Sequence, residues 1–210
     1  MTTSILVTNT KGGCGKTTIA TNLAAAFANA GFATGLADVD RQKSSLGWLA
    51  VRPATAAPIS GLDWRKATTG LPDKLQRLVI DAPAGVRLGH VEDLLKSADL
   101  VIVPVLASVF DERSTARFLA KLDTIKPIAK GKKAVLVVAN RQRPRQRASQ
   151  RLLDALAEAG FAPAAQLTDR ALYTELAVDG LGLFDVPPGR AAAGRADWLP
   201  LLRAIEVASR

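Results

Sequence analysis

The run Lys11-Gly12-Gly13-Cys14-Gly15-Lys16-Thr17-Thr18 stands between the apolar stretch Ile5-Leu6-Val7 and an apolar segment with helical spacing. No other feature limits so sharply what this chain can fold into. A strand that runs into a glycine-rich turn and then a helix makes a phosphate cradle. Gly12, Gly13 and Gly15 let backbone N–H groups crowd around phosphate oxygens, and Cys14 adds little bulk. Lys16 reaches the outer phosphates, the Thr17 hydroxyl is placed to hold Mg²⁺, and Thr18 carries the cradle into the first helical turn. The helix aims the positive end of its dipole at the same anion. The common pattern G-x-x-x-x-G-K-[ST] wants glycine at position 10, where this chain has Thr10 and then Lys11.

Strand-like and helix-like stretches alternate through the rest of the sequence, which predicts an α/β fold: a doubly wound, mostly parallel sheet flanked by helices. Strands are expected over 4–8, 33–38, 77–81, 99–105 and 133–139. Ile19, Leu23, Ala26, Phe27 and Ala30 repeat at helical spacing and Gly31 supplies a stop. Further helices are expected over 86–97, 111–126, 145–159 and 197–208. The segment 52–70, with Pro53, Pro58 and Gly61, reads as a connecting excursion with room for a short strand near 59–64. A second irregular region, 184–194, contains Pro187-Pro188-Gly189 and separates the body from a final helix.

With 210 residues and 48% hydrophobic composition, one domain spanning 1–210 is expected, since two would each be small. A single cysteine, Cys14, and a single histidine, His90, exclude a disulfide framework and a Cys/His zinc site within one chain. The first residues show no secretory pattern, and the longest apolar run, 100–107, suits a buried strand rather than a bilayer span. A soluble cytoplasmic protein is expected.

Doubly wound sheets bind ligands at the carboxyl ends of their strands, so acidic residues there are candidates for chemistry. Asp38 and Asp40 end the second expected strand. Leu78-Val79-Ile80 carry Asp81 to the sheet edge in the manner of a Walker B strand, and Asp81 would hold the Mg²⁺ shell, largely through water. The loop Ala82-Pro83-Ala84-Gly85 has the proline and glycine suited to a γ-phosphate sensor.

Lys11 to Thr18 resembles the deviant Walker A motif of the ParA/MinD family of dimeric ATPases. Leu36-Ala37-Asp38-Val39-Asp40-Arg41-Gln42 is similar to that family's D-x-D-P-Q segment, with Arg41 in place of the usual proline, and Val137-Val138-Ala139-Asn140-Arg141 is similar to its strand-ending asparagine. Residues 104–111, including Ser108-Val109-Phe110-Asp111, look like the loop after a further motif strand. The resemblance implies ATP and Mg²⁺ as ligands, and a homodimer in which Lys11 of each chain crosses to the partner's nucleotide. It also implies Asp40 as orienter of the attacking water, Asp38 as support for the metal or switch region, and Asn140 as a hydrogen-bonding partner of adenine. The alternatives are a helix N-cap for Asp40 and an ordinary turn role for Asn140, while Arg41 is expected to face solvent, with catalysis or contact with the partner as its alternatives.

The formal net charge of +9 exceeds what a nucleotide site needs and asks for an anionic partner. Arg141, Arg143, Arg145, Arg147 and Arg151 fall close together, preceded by Lys126, Lys130, Lys132 and Lys133. Arginines with few aromatics suit non-specific contact with double-stranded DNA. By resemblance to small ParA-type proteins, the expected function is positioning or segregation of a plasmid, chromosome or protein cluster on the nucleoid. Hydrolysis would be stimulated by a ParB-like activator or cargo adaptor. The chain leaves no room for an N-terminal helix-turn-helix domain, so operator-specific repression is not expected. The alternative is a membrane-associated, MinD-like division-site ATPase using the tail 198–210, but Arg203 and Arg210 are scant charge for a lipid surface.

Overall fold

The computed structural model describes residues 2–68, 70–107, 109–143 and 145–209, with backbone alone for 109–114. Its seven strands are β1 (Thr3–Val7), β2 (Thr34–Asp38), β3 (Ile59–Asp63), β4 (Arg77–Asp81), β5 (Leu100–Leu106), β6 (Ala134–Gln142) and β7 (Ala165–Thr168). They form one all-parallel sheet in the order β3-β2-β4-β1-β5-β6-β7.

A parallel sheet must be covered on both faces, and alternating strand residues serve opposite layers. Ile5, Val7, Leu36, Val79, Leu100 and Ile102 pack in one core with Ile19, Leu23, Phe27, Trp48, Leu176, Trp198, Leu201 and Ile205. These come from α1 (Lys16–Asn29), α2 (Ser44–Ala50), α7 (Leu172–Val178) and α8 (Pro188–Ala208). Leu6, Ala37, Leu78, Ile80, Val101 and Val103 face a second core with Val91, Leu95, Phe118, Leu119, Leu152 and Leu156. That layer is built by α3 (Leu88–Leu95), α4 (Val109–Asp123) and α6 (Arg147–Glu158), while α5 (Lys126–Ala129) is a single turn.

The chain runs from β1 outward to β2 and β3, returns to β4 beside β1, and then builds β5, β6 and β7 on the other side. Strand order therefore reverses around β1, and the turn after β1 stands at the crevice where such sheets take ligands. α1 ends at Gly31, as its sequence predicts. Phe32 N–H bonds the Phe27 carbonyl at 3.1 Å, Gly31 N–H bonds that of Ala28 at 3.0 Å, and the Phe27 and Phe32 rings pack edge to face.

Four elements lie outside the expectations: α2, the single turn α5, β7 and α7. The irregular region 184–194 is also corrected, because α8 begins at Pro188 rather than near 197. Proline at the first helical position loses no hydrogen bond and arrives with helical φ, so the Pro-Pro-Gly run starts a helix instead of breaking one. Within 104–111, Ser108 lies outside the described residues. Among the described residues no helix is long and apolar enough to cross a membrane.

Candidate active site

The turn between β1 and α1 is fixed from three sides. Asn9 donates to the Pro104 carbonyl at 2.8 Å and accepts from Lys11 N–H at 3.1 Å, which ties the loop to β5. Gly85 N–H bonds the Thr10 carbonyl at 2.9 Å, so the loop after β4 is stitched to the same turn. Asn140 donates through Nδ2 to the Cys14 carbonyl at 2.8 Å, which ties it to the end of β6. Gly13 and Gly15 have φ of 75° and 93°, in the left-handed region open to glycine. The Lys16 side chain is buried and its ammonium donates to the Lys11 carbonyl at 2.9 Å. Gly12, Gly13 and Lys11 are exposed, Thr17 and Thr18 half-buried, at the mouth of the cradle.

Register brings the carboxylates together, since Asp81 lies opposite Val7 on one side and Asp38 on the other. Asp81 is buried and neither of its oxygens accepts a hydrogen bond from a described residue. Burial pushes its pKa up to about 7. The Asp38 charge adds to the rise, while the nearby Thr17 hydroxyl, the Lys16 ammonium and Ser45 oppose it.

Asp38 directs both its oxygens to the segment that follows it. Oδ1 accepts from Asp40 N–H at 2.9 Å, and Oδ2 accepts from Ser45 N–H, Ser45 Oγ and Leu46 N–H at 3.0, 2.7 and 3.1 Å. Asp38 is thus the non-local cap of α2 and the holder of Asp40. Asp40 is not the N-cap; its Oδ1 accepts from Gln42 N–H at 3.0 Å in a tight turn. Asp40 and Arg41 line a recess of about 550 Å³ with Arg65, Pro83, Arg87 and His90, between the loops after β2 and β4.

A second recess, about 460 Å³, opens beside Thr18 and Asn140 and is completed by Arg141, Asp169, Arg170 and Tyr173. Asp169, Arg170 and Tyr173 are not among the residues that the sequence picks out. The rule that found Asp81 also applies to an acidic residue after β7, but a four-residue edge strand gives too little pattern to reveal it.

The arginines divide. Arg141 has a φ of 50° at a bulge in β6 and faces the second recess. Arg143 is held by Asp169 through Nε and Nη2 at 2.9 and 2.7 Å. Arg145, Arg147 and Arg151 are exposed around the start of α6. The lysines 126–133 sit at the opposite end of β6, about 26 Å away at strand rise. Lys133 there bonds the Leu95 and Ala98 carbonyls at the end of α3.

Among the described residues no group of three or more His, Cys, Asp or Glu side chains could hold a metal ion. A cation that takes phosphate oxygens, a hydroxyl and water has no need of such a group. Thr17 and the two undonated oxygens of buried Asp81 fit hydrated Mg²⁺ on that basis, and the left-handed glycines with buried Lys16 fit a polyphosphate.

The family model of the CobQ/CobB/MinD/ParA nucleotide binding domain matches residues 5–173. "Maintenance of carboxysome distribution protein A" of Halothiobacillus neapolitanus (strain ATCC 23641 / c2) is 28% identical over 200 residues, covering 90% of this chain and 91% of that protein. An aspartate-to-alanine variant of Cyanothece McdA in complex with ATP has the same fold at a TM-score of 0.75 and 16% identity, over 99% of this chain and 96% of that one. A plasmid partition protein from Borrelia burgdorferi B31 bound to AMPPNP also reaches 0.75, at 15% identity over 97% and 100% of the two chains.

Proposed function

Because the chain belongs to the CobQ/CobB/MinD/ParA nucleotide-binding domain family, we propose that it is a Mg²⁺-dependent ATPase that closes into a homodimer over ATP and positions or segregates a cargo on the nucleoid. The observation that carries this reading is the buried Lys16 ammonium at the head of α1 beside the undonated Asp81 carboxylate, with Lys11 at the exposed lip of the same turn.

Phosphoryl transfer asks a protein for positioning and charge more than for covalent work. The N–H groups of Gly12 to Thr18 and the Lys16 ammonium bind the phosphates. Thr17 and Asp81 would hold the metal, which would supply charge neutralisation when bound. Asp40, fixed by Asp38, orients the attacking water from its tight turn. Lys11 reaches the nucleotide of the partner subunit, so the full set of cations exists only in the dimer. Replacing it, Lys11→Gln, is expected to leave a monomer in ATP by light scattering and to remove the rise of specific hydrolysis with protein concentration. A variant that pairs and hydrolyses like the parent overturns the reading.

DNA contact is assigned to Arg145, Arg147 and Arg151. Cations at a helix N-terminus oppose the macrodipole, so their placement does nothing for α6 itself and suits an external polyanion. The membrane reading needs the apolar face of the tail, but Trp198, Leu201 and Ile205 of α8 are fully buried, which favours DNA over lipid. The likeness to a carboxysome distribution protein and a plasmid partition protein supports a positioning task. To that reading we add a partner that stimulates hydrolysis, whether ParB-like or a cargo adaptor.

A further inference from the structure

The recess beside Thr18 and Asn140 contains a paired carboxylate that the phosphate chemistry does not use. Asn140 Nδ2 faces the Cys14 carbonyl at 2.8 Å. A carbonyl can only accept, so this bond fixes the amide orientation and leaves Asn140 Oδ1 as the atom with spare capacity. Asp169 is held just as firmly. Its Oδ2 accepts both Nε and Nη2 of Arg143, and its N–H bonds the Gln142 carbonyl at 3.0 Å. The preceding Thr168 N–H is anchored to Asp197 of α8 at 3.1 Å. Asp169 Oδ1 accepts no hydrogen bond from another described residue, and the side chain remains one-third exposed at 33%. Asn140 and Asp169 both line the recess, and the oxygen of each that no described donor takes is its Oδ1.

We propose that Asp169, positioned by Arg143, is a specificity determinant that reads the exocyclic 6-amino group of the purine base together with Asn140. An adenine amine carries two N–H donors, which suits two acceptors. Hypoxanthine and guanine carry a carbonyl at the same position and meet acceptor with acceptor. Arg143 then acts through Asp169 as a positioning residue, separate from the arginines assigned to DNA. The inference rests on the nucleotide reading above.

The test is titration calorimetry on the full chain with the Mg²⁺ complexes of ATP, ITP and GTP, with thermal melts to follow folding. The parent should bind ATP about 50-fold more tightly than ITP, as charge-assisted hydrogen bonds of this kind imply. Asp169→Ala should reduce that ratio to about fivefold, mostly through weaker ATP binding. Arg143→Gln should reduce it by about threefold, with retention on duplex DNA in rising salt unchanged. Where Asp169→Ala fails to fold, Asp169→Asn keeps the side-chain shape and should narrow the ratio in the same direction. A parent that does not discriminate, Asp169 variants that keep the parent ratio, or Arg143→Gln that loses DNA retention while keeping the ratio each overturn the proposal. A parent that binds none of the three nucleotides removes the nucleotide reading itself.

Discussion

Gly15 meets two demands at once: a left-handed φ of 93° and a neighbour so close that an added Cβ would lie 2.2 Å from Asn140 Nδ2. Gly13 shares the left-handed backbone but has nothing within 4 Å of its would-be Cβ. Gly15→Ala should therefore lose ATP affinity by tenfold or more in calorimetry, while Gly13→Ala carries only the conformational cost of about 1 kcal/mol. Asp81 makes a pH prediction. Its folded pKa is raised to about 7, so between about 4 and 7 the folded state holds a proton that the unfolded state has released. Stability of the ligand-free protein should fall as pH rises through that window, by up to about 4 kcal/mol, and Asp81→Asn should flatten the slope in urea titrations. The placement of Lys11, Lys16 and Thr17 in one turn and of Asp81 at a strand end was legible in the sequence because each belongs to a contiguous pattern with its own physical reason. Asp169 was not, since its significance depends on Arg143 and Asn140, which only the fold brings beside it.

Among the elements, α2 depends most on distant residues. Its N-terminal N–H groups are capped by Asp38 from the end of β2, and just past its C-terminus Arg52 is tied into the loop after α7. Arg52 donates to Asp185 through both Nη atoms and to the Ala57 and Gly180 carbonyls, over the face of Trp48. The pair is nearly sealed, with side chains 6% and 1% exposed. Burial pushes the Asp185 carboxyl up, but Arg52, the Gly182 N–H and Asn29 together hold it below the usual carboxylate range. Arg52→Ala leaves that charge buried without its partner and should cost about 3–5 kcal/mol in urea denaturation at neutral pH. The difference between parent and variant should shrink as pH falls below the ordinary carboxylate range, because a carboxyl of lowered pKa stabilises only while ionised. This dependence on distant partners explains why α2 was invisible in sequence. Seven residues of Ser, Gly and mixed apolar character lack a local cap or stripe, and their helical state is decided by Asp38 and by burial of Trp48. Strand β3 could be expected near 59–64 because Ile59, Leu62 and Trp64 recur within a short segment that follows Pro58.

For the whole molecule, the net charge of +9 was readable at once, while its distribution was not. The basic groups at 126–133 and 141–151 follow one another closely along the chain, yet β6 carries them to opposite ends of the sheet and one arginine is consumed by Asp169. Alanine at Arg145, Arg147 and Arg151 together should lower the slope of log affinity for random duplex DNA against log salt by about 0.9 for each phosphate that is no longer neutralised. The same substitutions at Lys126, Lys130 and Lys132 should leave that slope unaltered, which a filter-binding series would show. By itself the sequence determined the glycine-rich turn between β1 and α1, the alternating α/β architecture and the placement of Asp81 at a strand end, because glycine, apolar periodicity and strand termini act over a few neighbouring residues. Only the tertiary structure decided that Asp38 caps a helix, that α8 lies in the core, and that Asp169 and Asn140 share one recess. Those outcomes turn on burial and on hydrogen bonds between segments far apart in the chain, which no local pattern encodes.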